Sequence, residues 1–237
     1  MRTGFKDIHH HLLYGLDDGP KNRAGMYRML HKAAAEGITE IVVTPHVTPG
    51  VHLFDRKQYE KAFDLAEAYC EESGLDIKLH KGAEILYTDQ TCRLLVEGKI
   101  PTMADTDCVL VEFSPDIRFD KLQEALRRLS SNGYRPIIAH IERYRCLTVW
   151  PSRAEGLKKE MDLFFQVNCS TVIEQSGFWE RRFLKRMMKQ RLIDAVATDA
   201  HGTKSRAAKM KKAYRVLQRQ YGEEYAQLLL SGWILGE

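Results

Sequence analysis

The chain has 237 residues, of which 44% are hydrophobic and 29% are charged, a composition typical of a folded globular protein. Its net charge of +4 is too small, without a localised basic stripe, to favour nucleic-acid binding. There is no run of 18 apolar residues and no apolar signal region at the start, so the sequence predicts a cytoplasmic protein that does not insert into a membrane.

Short apolar runs rich in β-branched residues alternate with longer amphipathic segments. Strands are predicted over 5–9, 38–44, 76–82, 108–113, 135–140, 163–168 and 193–198. Helices are predicted over 24–36, 56–73, 119–132, 178–191 and 204–219. This alternation is typical of a parallel sheet, open or closed, and no low-complexity linker interrupts it. We therefore expect one α/β domain over residues 1–237.

The segment 178–219 carries many lysines and arginines at helical spacing. A charge run of this kind is most often a solvated helix face. The sequence alone favours that interpretation over a binding surface.

Potential metal ligands follow six of the predicted strands. They are His9 and His11, His46, Glu84, Glu112, His140, and Asp199 with His201. In a barrel of parallel strands the carboxyl ends converge on one mouth, so residues far apart in sequence meet there. Imidazole and carboxylate ligands together suit Mn, Fe or Zn. With one of Asp17 or Asp18 added, the set is too large for one ion and sufficient for two or three.

Two arginines follow proposed ligands directly, Arg143 after His140 and Arg206 after His201. A guanidinium group offers a planar fork of donors that matches phosphate oxygens. Arginines beside clustered metal ions indicate phosphoryl chemistry. The remaining histidines are interpreted as structural; they are His10, His31, His52 and His80.

The five cysteines are scattered and never occur in CxxC spacing, which argues against a disulfide framework or a cysteine zinc site. None of them has an arginine six residues further on. A cysteine-dependent phosphatase needs that spacing to place the thiolate beside the phosphate. The sequence therefore excludes that mechanism.

With these motifs together, the chain resembles the PHP (polymerase and histidinol phosphatase) superfamily. Within it, the chain is most similar to the metal-dependent bacterial protein tyrosine phosphatases of capsule and exopolysaccharide operons, the CpsB/YwqE type. The resemblance is carried by DIHHHLLYGLDDGPKNR, TPHVTPG, KGAEILYT, IPTMADTDCVLVEFS, PIIAHIERY, FQVNCS and ATDAHGTKSR, in the family's order and over nearly the whole chain. The chain departs from the family in having His10 where serine is common, and in its C-terminal ending.

The resemblance implies a distorted seven-stranded (β/α)7 TIM-like barrel, the PHP fold, with three divalent metal ions at its mouth. Mn is the expected metal, with Fe and Zn as alternatives. The implied ligands are His9, His11, Glu84 and Asp199 for the first ion, Glu84, Glu112 and His140 for the second, and Asp18, His46 and His201 for the third. Asp18 is preferred to Asp17 because the second aspartate of DDGP is the family's ligand. Arg143 and Arg206 match the family's phosphate-binding arginines. Asp199 or a nearby histidine is a candidate proton donor to the leaving group, and the sequence does not decide between them.

The expected activity is hydrolysis of phosphotyrosine on the tail of a membrane-associated bacterial tyrosine kinase that regulates capsular polysaccharide synthesis. One alternative is a phosphatase of the same fold that acts on histidinol phosphate or a sugar phosphate. A second is a regulator that binds metal and the kinase without catalysis. A nuclease of the same fold is disfavoured, because no basic stripe with interleaved aromatic residues is present. Homo-oligomerisation is left open.

Overall fold

The structure is a computed structural model that describes residues 4–174 and 177–236. The strands are β1 (Phe5–His10), β2 (Ile38–Val43), β3 (His46–Val47), β4 (Lys78–Lys81), β5 (Glu84–Leu86), β6 (Cys108–Glu112), β7 (Arg135–Ile138), β8 (Phe164–Asn168) and β9 (Ala195–Ala197). The helices are α1 (Arg23–Ala35), α2 (Arg56–Glu72), α3 (Thr91–Val96), α4 (Phe119–Ser131), α5 (Arg145–Thr148), α6 (Pro151–Glu160), α7 (Cys169–Glu174), α8 (Phe178–Lys189), α9 (Met210–Tyr221) and α10 (Glu223–Leu229). The predicted α/β alternation is confirmed.

All strand pairs are parallel, and they form a three-stranded sheet β1-β2-β4 and a six-stranded sheet β3-β5-β6-β7-β8-β9. The end of β9 approaches the end of β1, where the amide of Asp199 donates to the carbonyl of His9 over 2.9 Å. The amide of His11 donates to the carbonyl of Ala200 over the same distance. The architecture is therefore a curled parallel sheet with helices on its outer face.

The predicted count of seven strands is not confirmed, because the described residues contain nine. Two short strands, β3 and β5, follow β2 and β4 after a break of two residues each. At the first break Pro45 has no amide hydrogen to donate to a neighbouring strand. At the second, a Cβ on Gly82 would lie 2.8 Å from the side chain of Val42, so the close approach there requires glycine.

The five predicted helices agree with α1, α2, α4, α8 and α9 except at the start of α9, whereas α3, α5, α6, α7 and α10 were not predicted. In α1, the predicted face of Met26, Met29, Leu30 and Ala33 is buried. The helix predicted from 204 begins instead at Met210, because isolated β-bridges join Gly202 to Ala207 and Lys204 to Arg206, and Arg206 has a φ of 46°. None of the helices in the described part of the chain has the length and apolarity needed to cross a bilayer.

Both faces of the curled sheet are buried, as expected for parallel strands covered by helices. Alternate residues of one strand enter different cores: Leu110 packs inside the curl, while Val109 and Val111 face the helices. The inner core also contains Ile8, Val42, Ile137, Ala139, Ala195 and Ala197. Because this core fills the inside of the curl, the proposed ligands gather beyond it, at the carboxyl ends of the strands.

Candidate metal centre

Glu84 is the centre of a buried polar cluster at the carboxyl ends of the strands. Its Oε2 lies 3.2 Å from Nε2 of His9, 3.1 Å from Nε2 of His11 and 3.0 Å from Nδ1 of His46. Its Oε1 lies 2.8 Å from Nε2 of His140. Strand register explains one of these contacts, since His46 of β3 lies directly opposite Glu84 of β5. One carboxylate thus faces four imidazoles, two from the end of β1, one from β3 and one from the loop after β7.

Three overlapping groups of side chains have ligand atoms close enough to share a metal ion, within 4.8 Å of one another in each group. The groups are His9, His11, Glu84 and Asp199; His46, Glu84 and Glu112; and His11, Asp18, His46 and His201. His140 belongs to none of the three, although its Nε2 lies 3.6 Å from Oε2 of Glu112 in addition to its contact with Glu84. The mouth therefore brings together all nine proposed ligands, but it groups His46 rather than His140 with Glu84 and Glu112.

The donor atoms fit metal ions better than they fit one another. Oε2 of Glu84 and Nε2 of His201 are buried, and although each lies within 3.2 Å of a polar atom of the cluster, none of these contacts has the geometry of a hydrogen bond. The Nε2 atoms of His9 and His11 lie only 3.2 Å apart. Leaving a buried polar atom unpaired costs about 1–3 kcal/mol, and a shared cation removes that cost for several atoms at once.

Hydrogen bonds on the far side of two imidazoles set their tautomers. Nδ1 of His11 donates to Oδ2 of Asp17 over 2.7 Å, and Nδ1 of His201 donates to the backbone carbonyl of Asp199 over 2.9 Å. A ring that carries its proton on Nδ1 presents a lone pair at Nε2. In both residues that lone pair faces the cluster, which is the arrangement that metal ligation requires.

His9 is oriented in the same way by a chain of amides that starts in β8. Its Nδ1 lies 3.2 Å from Oε1 of Gln166, whose Nε2 donates to Oδ1 of Asn168. Asn168 then donates to Oδ2 of Asp199 over 2.8 Å. Gln166 and Asn168 belong to FQVNCS, and their roles were not predicted. They lie two residues apart at the end of an apolar strand, as His9 and His11 do in β1, and this spacing was the pattern that could have predicted them.

Asp17 was not predicted to be a ligand, but it positions two predicted ligands, His11 and His46. Besides holding His11, its carboxylate accepts the backbone amide of His46 over 3.1 Å and that of Gly19 over 2.8 Å. A Cβ on Gly19 would lie 2.6 Å from the carbonyl oxygen of His11, so this turn requires glycine. Burial opposes ionisation of Asp17, but these donors outweigh it and lower its pKa to about 2.

Asp17→Asn is expected to weaken metal binding and activity by about 10- to 100-fold, because an amide does not hold His11 as a charged acceptor does. Metal affinity and kcat should fall together, and the melting temperature of the metal-free protein should also fall, because the ionised carboxylate stabilises the fold through three hydrogen bonds. Unchanged metal affinity in this variant would mean that Asp17 only shapes the loop.

The electrostatic environment of the cluster favours cations. Burial lowers the pKa of His9 and of His46, but the neighbouring carboxylates outweigh it and raise these pKa values to about 9 and about 11. Asp199 is buried too, yet its histidine and arginine neighbours hold its pKa well below the usual range. A potential that stabilises protonated imidazoles also attracts metal ions, which bind the same nitrogens in their neutral form.

The two predicted arginines meet at Asp199, at the open side of the cluster. Arg143 donates to Oδ2 of Asp199 over 2.8 Å, and Arg206 donates to Oδ1 over 3.1 Å. Arg206 also donates to Asp18 over 3.0 Å. Both arginine side chains are 43% exposed. They therefore border the cluster and can reach an anion that arrives from solvent.

The other histidines and the cysteines lie outside these groups. His10 is buried, and burial lowers its pKa to about 3. His31 contacts Tyr69 and His80 contacts Glu40, while His52 is exposed in the loop after β3. Four of the five cysteines are buried, and burial raises the pKa of all five thiols; they are Cys70, Cys92, Cys108, Cys146 and Cys169.

A curled parallel α/β sheet with overlapping groups of histidines and carboxylates at its strand ends defines the class of metal-dependent hydrolases built on barrel-like folds. The family model described as "Capsular polysaccharide synthesis, CpsB/CapC" matches residues 5–232. The chain belongs to this family.

Two named relatives are similar over almost the whole chain. Tyrosine-protein phosphatase CpsB of Streptococcus pneumoniae is 31% identical, with 94% of this chain and 93% of the relative covered. Tyrosine-protein phosphatase YwqE of Bacillus subtilis is 29% identical, with 94% and 87% covered.

Solved structures agree with the sequence comparison. A structure from a study of YwqE of Bacillus subtilis and CpsB of Streptococcus pneumoniae, described as unique metal-dependent tyrosine phosphatases, matches with a TM-score of 0.86. It is 28% identical, with 94% of this chain and 90% of that chain covered. Histidinol phosphate phosphatase of Lactococcus lactis matches with a TM-score of 0.57, 12% identity and 94% of each chain covered, which shows a shared fold only.

Proposed function

We propose that this protein is a metal-dependent protein tyrosine phosphatase. The observation that carries the proposal is the cluster around Glu84, with two half-exposed arginines meeting at Asp199 on its open side. The names of the relatives support the same activity, because CpsB and YwqE are both tyrosine-protein phosphatases. Hydrolysis transfers the phosphoryl group from the tyrosine oxygen to water, breaking one P–O bond and forming another.

The ligands are proposed as in the family: His9, His11, Glu84 and Asp199; Glu84, Glu112 and His140; and Asp18, His46 and His201. Three divalent ions, with Mn preferred, would supply Lewis-acid charge and a nucleophile from water at neutral pH. The grouping of His46 with Glu84 and Glu112 leaves a choice of imidazole for the second ion. His140, whose Nε2 lies between both carboxylates, fits that place as well.

Arg143 and Arg206 are proposed to bind the phosphate. Each guanidinium can donate to equatorial oxygens, on which negative charge accumulates during transfer. To do so, each arginine exchanges its carboxylate partner for the phosphate. Asp199 stays ionised, because its pKa is held well below the usual range and it is a proposed ligand. Its proposed catalytic role is therefore to orient the proton donor, a nearby histidine or a water molecule, toward the leaving oxygen. A tyrosine leaves as a phenolate, so this proton contributes less than it would for an alkyl phosphate.

The open side of the cluster suits a side chain presented by a protein. A cavity of about 330 Å³ borders His201 and is lined also by Lys21 and Arg28. A second, of about 690 Å³, lies between the loop after β6 and α5 and is lined by Arg118, Arg145 and Trp150. Both lie beside loops that follow strand ends, and both leave room for residues that flank a phosphotyrosine.

We also propose that the sheet closes into a seven-stranded barrel and that residues 1–237 form a single domain. Seven strands result when β2 and β3 are counted as one interrupted strand and β4 and β5 as another. The hydrogen bonds that join the ends of β9 and β1 support closure. The proposed partner is the phosphotyrosine tail of a bacterial tyrosine kinase in capsule synthesis. A cytoplasmic location stays a prediction.

The substrate is tested by comparing rates on a phosphotyrosine peptide and on histidinol phosphate, with Mn supplied to both reactions. The proposal expects kcat/KM to be at least about a hundredfold higher for the peptide, since its phenolate leaves more readily and its flanking residues bind the rim. Equal or reversed preference would favour a small-molecule phosphatase. Metal and peptide binding without turnover would favour a regulator.

A further inference from the structure

The exposed face of α8 is unusual in its charge. Its buried face consists of Phe183, Leu184, Met187 and Met188. At 100° per residue, the opposite face carries Phe178 at the first position and then a run of cations. These are Arg181, Arg182, Lys185 and Lys189, which we call the α8 stripe.

The positive charges of the α8 stripe are not paired with carboxylates of the described residues. Across residues 4–174 and 177–236, its four cations have no carboxylate within 4.0 Å, whereas the neighbouring Arg186 pairs with Glu155. Arg181, Lys185 and Lys189 are spaced four apart, where like charges destabilise a helix by about 0.2–0.5 kcal/mol per pair. Because this arrangement works against helix stability, it is better explained by an anionic partner.

Two large aromatic side chains stand at the start of this helix. Phe178 is 67% exposed and Trp179 is 46% exposed, and their ring centroids lie 5.3 Å apart. Exposed aromatic residues next to a row of cations are characteristic of segments that lie at the interface of a bilayer. In such segments the aromatic rings enter the interfacial region while the cations contact lipid headgroups.

The surface beside the α8 stripe extends the positive charge. A groove of about 390 Å³ separates α8 from α9, with an apolar floor that includes Leu184, Met188 and Leu217. α9 carries four further cations and no carboxylate. The two helices together hold nine cations and one carboxylate, a net charge of +8 compared with +4 for the whole chain. The rest of the chain is therefore acidic overall.

We propose that the α8 stripe, with Phe178 and Trp179, is a peripheral docking surface for an anionic lipid bilayer. Anionic headgroups supply the missing negative charge, and the interfacial region accepts the exposed rings. A second copy of the chain is a poor occupant, because a twofold contact would place this positive surface against itself. The proposal does not depend on the phosphatase activity.

The test is co-sedimentation with vesicles of phosphatidylcholine alone or with added phosphatidylglycerol. Binding is expected only with the anionic lipid, to fall with added salt, and to drop at least about tenfold in the triple variant Arg181→Gln, Lys185→Gln and Lys189→Gln. A control with the same loss of charge, Lys57→Gln, Lys61→Gln and Lys121→Gln, should bind as the unaltered protein does. A blue shift of tryptophan fluorescence on binding should be lost in Trp179→Phe.

Any of three results would overturn the proposal. One is an equal loss of binding in the control, which would make net charge rather than the α8 stripe responsible. Another is binding of polyglutamate without any binding of vesicles, which would identify an acidic polypeptide as the partner. If the triple variant fails to fold by circular dichroism, Phe178→Ser with Trp179→Ser decides the question, since both rings are exposed and unneeded for the core. Vesicle binding unchanged in that variant would also contradict the proposal.

Discussion

Glu84→Gln is expected to reduce phosphotyrosine hydrolysis by about a thousandfold or more, because loss of the metal ions removes several kcal/mol of transition-state stabilisation. Within residues 4–174 and 177–236, Glu84 is the one carboxylate that approaches His9, His11, His46 and His140 together. An amide offers one neutral acceptor oxygen and an amide nitrogen that cannot bind a metal. Metal content should fall with activity.

Glu40→Gln provides the matched control. Glu40 also contacts a histidine, with Oε2 2.9 Å from Nε2 of His80, but this pair lies outside the three groups of potential ligands. We expect normal metal content and activity in this variant. If Glu84→Gln retains both metal and activity, the role of Glu84 as the shared ligand is wrong.

Removal of the two arginines is expected to give the second-largest effect. Arg143→Ala and Arg206→Ala should each lower kcat by about 100- to 1000-fold, the usual loss when one donor to a developing anionic charge is removed. Inhibition by inorganic phosphate should weaken in the same variants. Arg206→Lys should recover only part of the activity, because an ammonium group lacks the planar fork.

Arg93→Ala serves as the control, since Arg93 is 57% exposed and pairs with Glu97 on α3. Measuring the metal content of the arginine variants distinguishes two roles, binding the phosphate and holding Asp199 in place. Both arginines contact Asp199, so loss of metal in these variants, with unchanged phosphate inhibition of the remaining activity, would assign them to holding Asp199. Retained metal with weakened phosphate inhibition supports the proposal.

The gathering of the proposed ligands was predictable because it follows from topology. His9, Glu112 and His140 are distant in sequence, yet each stands at or just after the end of a parallel strand, and such ends converge. The His-x-His spacing placed His9 and His11 on one side of β1. Apolar periodicity likewise predicted the buried face of α1 residue by residue.

What the sequence did not reveal depends on loop geometry and on long-range hydrogen bonds. The role of Asp17 arises from a turn that brings its carboxylate back to His11. The choice of Asp18 as the ligand did not predict that Asp17 would hold His11. The chain from Gln166 to Asn168 joins β8 to β1 and β9, a contact that no local pattern encodes. The breaks that create β3 and β5 also depend on packing between neighbouring strands.

The dependence of activity on bound metal tests the central claim most directly. Metal-free protein is titrated with Mn while bound metal per chain and hydrolysis of a phosphotyrosine peptide are measured on the same samples. The proposal expects no activity without metal, a rise that follows occupancy, and saturation near three ions per chain. Full activity in the metal-free protein, or three bound ions with no hydrolysis of phosphotyrosine, would contradict it.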